Sequence, residues 1–115
     1  MREDEQEFWE RVAEYDRRFG REDFHGSAVA SALALRREAE DMFADLSDCA
    51  VFAGDTENEE DYITWLQKAE EDVGVRIGMV TTVARNDQDA EDHLTFAYAT
   101  LRAVAQDALS RKPVG

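Results

Sequence analysis

The chain has 115 residues, the size of one domain, and 43% of them are hydrophobic, enough for a core. Its 27 Asp and Glu against 13 Lys and Arg leave a formal net charge of -14. That balance argues against direct binding to nucleic acid or to an anionic membrane, both of which need a positive face. The single cysteine, Cys49, excludes an intrachain disulfide framework. The opening residues, Met1 to Glu7, are acidic rather than basic-then-apolar, so no secretory leader is expected. The longest apolar run, Ala28 to Leu35, falls short of the roughly 20 residues that cross a bilayer. A cytoplasmic protein away from membranes is the expectation.

Glycines divide the chain into helix-length pieces. In the first, about 3–19, Phe8, Val12, Tyr15 and Phe19 fall on one helical stripe, with Trp9 beside it. Glu7 precedes Arg11 by four and Glu14 precedes Arg18 by four, the better order for intrahelical ion pairs. Gly20 fits a left-handed C-terminal cap. The second piece, about 27–46, starts at Ser27 as N-cap. Its seam is Ala28, Ala32, Leu35, Ala39, Met42 and Leu46, small enough for another helix to approach closely.

Residues 49–53, Cys-Ala-Val-Phe-Ala, read as a short buried strand or a packed loop. Thr56-Glu57-Asn58-Glu59 then matches the capping box of a third helix, about 58–73. Tyr62, Leu66, Ala69 and Val73 form its stripe, and Gly74 is placed to end it. Residues 75–83 are rich in β-branched side chains and predict a second strand, with a poor helix as the other option. The fourth helix, about 89–111, repeats Ala90, Leu94, Ala97, Leu101, Val104 and Ala108, with Asp89 at its start as a capping residue. Its opposite side carries Phe96, Ala99 and Ala103, so it is apolar on two sides. Such a helix is central in a fold or lies in a subunit interface. The fold expected is mainly α, a single-domain four-helix assembly over 1–115 with a flexible tail at 112–115. A minor two-stranded β element from 49–53 and 75–83, giving an α+β protein, is the alternative. The second and fourth helices are expected as close neighbours.

The charge is unevenly spread. Residues 1–26 hold 9 acids and 5 bases, and residues 73–115 hold 5 of each. Between Glu38 and Val75 there are 13 acids and one base, Lys68. Glu38, Asp41 and Asp45 are spaced to share one face of the second helix, away from its seam. Glu60 and Glu71 point away from the Tyr62 stripe, and Asp61 and Asp72 flank Trp65. Asp48, Asp55 and Glu57 fall in or beside the connection. Self-repulsion of this kind destabilises a compact chain. A basic partner, such as the nucleic-acid site of another protein, would offset it, with Trp65 and Tyr62 as aromatic anchors. Solubility alone, or adaptation to salt, explains the same composition.

No catalytic motif stands out. Cys49 would need His25 or His93 nearby to act as a nucleophile, and its neighbours are apolar. Glu22 and His25 make one Glu-x-x-His where a di-iron bundle uses two. Asp89 and His93 lie four apart and would supply only two metal ligands. The functional expectation is therefore a non-enzymatic acidic module, without cofactor or metal, that docks a basic protein surface as an inhibitor or nucleic-acid mimic. Size and charge are similar to those of small acidic inhibitors of nucleic-acid enzymes, a likeness of composition alone. A helical homo-oligomer or accessory subunit joined through Phe96, Ala99 and Ala103, with acidity serving solubility, is the second expectation. A small metal or thiol enzyme is the third.

Overall fold

The computed structural model describes residues 3–21, 27–48, 59–82 and 86–110. They form four helices: α1 (Glu3–Gly20), α2 (Ala28–Asp48), α3 (Glu59–Thr82) and α4 (Asp87–Ser110). The mainly α four-helix expectation holds, and no strand occurs among the described residues.

Two of the helix starts are fixed by side-chain caps. Ser27 Oγ accepts from the Ala30 N–H at 3.1 Å, the N-cap expected from sequence. At α4 the cap is Asn86, whose Oδ1 accepts from the Asp89 N–H at 2.9 Å. Asp89 is therefore inside the first turn rather than at its cap, and favours the helix dipole there. Gly20 ends α1 in helical rather than left-handed geometry. A Cβ at Gly20 would come within 3.4 Å of the Arg102 guanidinium, so α4 packs over this end of α1.

The largest departure from the sequence reading is α3. Val75 to Thr82 are helical, not a strand, and Gly74 does not end the helix. The reason is burial. Ile77 and Val80 extend the buried line of Tyr62, Leu66, Ala69 and Val73 at helical spacing. Core packing of these side chains outweighs the weak β preference of the segment. The other half of the expected β element, 49–53, lies outside the described residues, as does the tail at 112–115.

Neighbouring helices run antiparallel. Arg11 of α1 meets Asp45 of α2, and Arg18 meets Glu38. Arg36, Ala39 and Phe43 of α2 line one groove with Glu70, Val73 and Ile77 of α3. Arg76 of α3 meets His93 of α4. Asp16 of α1 pairs with Arg102 of α4 at 3.6 Å. The order around the bundle is α1, α4, α3, α2. Helix α4 packs closely on α1 and α3 and touches α2 across the middle. The closest partner of α2 is α3 rather than α4, which corrects the expected pairing. The alanines of α4 do allow close approach, but chiefly to its two flanking neighbours.

Phe8, Val12 and Phe19 from α1 meet Leu35, Met42 and Leu46 from α2 in one core. Leu66, Val73 and Ile77 of α3 and Leu94, Leu101 and Val104 of α4 complete it. Each such side chain contributes about 1.5–3 kcal/mol by leaving water.

Gly74 and Gly78 lie inside α3 with nothing within 4 Å of where a Cβ would stand. Glycine in a helix costs backbone entropy without packing gain at these positions. Gly74→Ala and Gly78→Ala should each raise stability by about 0.5–1 kcal/mol. Urea denaturation followed by far-UV circular dichroism checks this, and a destabilised variant would contradict the open space described.

Candidate protein-interaction surface

The acidic side chains expected on one docking face divide into two groups. Glu38 and Asp45 flank the buried line of α2 and turn toward α1, where both are half-buried. Asp45 accepts from the Tyr15 hydroxyl at 2.7 Å and from Arg11 Nε at 3.3 Å. Glu38 pairs with Arg18. These two carboxylates are thus compensated inside the bundle, and the sequence reading that faced them outward is corrected. The intrahelical pairs expected on α1 give way to the same contacts: Arg11 and Arg18 reach across to α2. Glu14 is held instead by Arg17 at 2.6 Å, whose hydrogen bond and charge keep its carboxyl below the usual range.

Asp41, Asp61, Glu71 and Asp72 form the second group. All four are exposed and make no ion pair among the described residues. Glu40 and Glu70, which the sequence reading did not single out, belong with them: both line the groove between α2 and α3. Asp55 and Glu57 lie outside the described residues, as do the side chains of Asp48 and Glu60.

Trp65 has Asp72 beside it, as the spacing predicts, and a further set of neighbours on α4. It is 41% exposed and shares a groove of about 440 Å³ with Phe96, Ala99 and Ala103 of α4. The aromatic assigned to the acidic face and the residues assigned to an oligomer interface are therefore one surface. Phe96 is 56% exposed at its centre. Val75 and Met79 prolong the apolar strip along α3. They were hidden from sequence reasoning because a strand reading of 75–83 separates them from the helical stripe that carries Trp65 and Asp72. Tyr62 is buried and stacks on Trp65 with ring centroids 6.1 Å apart, so it supports the tryptophan from below rather than anchoring a partner.

Arg76 sits at the far end of this strip. Its guanidinium lies 4.6 Å from the centre of the Phe96 ring. Its Nη1 donates to His93 Nδ1 at 3.2 Å, which engages one ring nitrogen of the histidine. Among the described residues no three His, Cys, Asp or Glu side chains gather as metal ligands. Glu22, His25 and Cys49 lie outside the described residues. No helix is long and apolar enough among the described residues to cross a membrane.

No protein-family model, curated protein or solved structure matches the chain.

The Tyr15–Asp45 contact makes a testable prediction. Burial first, then the hydrogen bond and charge of Asp45, raise the Tyr15 pKa well above the ordinary tyrosine range. A group whose pKa rises on folding stabilises fully below its unfolded value, here about pH 10, and loses that contribution as pH climbs toward the folded value. Tyr15→Phe should cost about 1 kcal/mol at neutral pH. It should also lessen the loss of stability above about pH 10 relative to the parent chain. Denaturant titrations at neutral and alkaline pH measure both, and parallel pH profiles for the two chains would remove the contact's role.

Proposed function

We propose that the chain is a non-enzymatic protein-binding module whose outer α2–α3 surface docks a basic surface on a partner protein. The observation that carries this reading is the set of exposed carboxylates that make no ion pair among the described residues: Glu40, Asp41, Asp61, Glu70 and Glu71. Cations are not lacking in the fold. Those of α1 are directed to Glu38, Asp45 and Glu14, and Arg102 to Asp16, so the outer acids keep their charge. A helix brings a residue to the same face about once per 5.4 Å turn. Carboxylates on two adjoining helices therefore offer a basic cleft a row of negative charge in place of the phosphates it is built to hold. Occupying such a cleft would inhibit its owner. The same reading takes the partner to be met in the cytosol, where a lone cysteine stays reduced.

Association of this type is steered by charge and weakens steeply with salt. Capture from native lysate should recover a basic, nucleic-acid-binding protein at low salt and lose it at high salt. Reversing Asp61, Glu70 and Glu71 together to Lys should abolish recovery while circular dichroism stays unchanged. Recovery that ignores salt, or survives the triple reversal, would refute the docking surface.

A further inference from the structure

The groove carrying Trp65 and Phe96 is a different surface from the acidic one, and its charge is mixed. Lys68 and Asp72 both line it, and neither makes an ion pair among the described residues. Arg76 lies beside it. A uniformly basic partner would meet two cations here, so the groove suits a surface that is itself mixed.

We infer that the occupant is a second copy of this chain, packed face to face about a two-fold axis. Trp65, Lys68, Asp72 and Val75 recur at spacings of 3, 4 and 3 and so form one stripe on α3. Phe96, Ala99 and Ala103 form the outward stripe of α4. The register between the antiparallel helices follows from Arg76, which stands beside His93 and Phe96. The groove that runs on from there is lined from Asp72 back to Trp65 on α3 and from Phe96 on to Val104 on α4. The level of Glu70 on α3 is therefore the level of Ala99 and Thr100 on α4.

A two-fold axis at that level, lying in the face and across the helices, sets α3 against α3 and α4 against α4, antiparallel. Residues equally far from the axis then meet. Phe96 falls opposite Ala103 of the other copy, and Trp65 opposite Val75. Lys68 falls opposite Asp72. Each pairing occurs twice, as an isologous interface requires. Large rings face small or β-branched side chains, which lets the layers interdigitate. The two unpaired charges of the groove gain opposite-charge partners. One register thus satisfies size and charge together, and it is the self-complementarity of the stripe that selects a second copy over a foreign partner. Asp72 is taken up by this contact, whereas Glu40, Glu70 and Glu71 lie off the stripe and stay uncovered, so a dimer still presents two acidic surfaces.

The test is sedimentation equilibrium of the full chain at tens of micromolar. A dimer is expected, and Ala99→Glu, which adds a charged side chain at the axis on an exposed position, should yield a monomer with an unchanged helical spectrum. Lys68→Asp or Asp72→Lys alone places like charges opposite one another and should weaken the dimer at least about tenfold. The double exchange, K68D with D72K, should restore affinity to within about threefold of the parent. A monomeric parent chain overturns the inference, as does a dimer indifferent to Ala99→Glu. A double exchange no tighter than either single change overturns the register.

Discussion

The arrangement of this bundle depends on how closely other helices can approach α4. Ala90, Ala97, Ala105 and Ala108 are buried along it, among Leu94, Leu101 and Val104. Small side chains bring neighbouring axes toward the short end of the usual 8–10 Å range. Helix α4 can then touch all three of the others, which one helix in a square bundle with bulky side chains seldom does. The larger residues of α1, α2 and α3 fill the space that remains, and their positions follow from that centre. The outward stripe of α4 escapes burial for the same reason: three neighbours occupy its inner sides, and Phe96, Ala99 and Ala103 are left to solvent.

Charge follows the packing. The cations of α1 come within reach of α2 because the two helices are adjacent and antiparallel, and there they meet Glu38 and Asp45. Glu40, Glu70 and Glu71 make no ion pair among the described residues, although Arg36 lines the same groove as the first two. Beside it, the Trp65–Phe96 groove balances Lys68 against Asp72. The bundle thus carries two surfaces of different character on adjoining faces, and the two proposals address one each.

Most of the fold was legible in the sequence because three helices have amphipathic stripes and sharp boundaries. The stripe of Phe8, Val12 and Phe19 is buried as read, and so is that of Leu94, Leu101 and Val104. The second half of α3 was not legible. Gly74 and a run of β-branched residues gave a local signal for a turn and a strand, and only the core position of Ile77 and Val80 reverses it. The interaction surface was legible in parts. Exposure of Phe96, Asp61 and Glu71 follows from their own helices. The fate of Glu38 and Asp45 does not, because it depends on which flank of α2 turns toward α1. The meeting of Trp65 with Phe96 likewise depends on the register between α3 and α4, which periodicity within one helix does not contain.

The α1–α2 boundary is the one place where helix backbones stand well apart, and polar contacts span the gap: Tyr15 and Arg11 to Asp45, Arg18 to Glu38. The α1–α4 and α3–α4 boundaries carry one such contact each, Asp16 to Arg102 and Arg76 to His93, beside extensive packing. The α1–α2 joint is the most polar and the least packed of the ring, which makes it a parting line. Water can compete for those contacts without first invading the core, so breathing of the native state begins there. The motion would swing α1 and α2 apart while α3 and α4 stay clasped, leaving both outer surfaces intact as the barrel loosens.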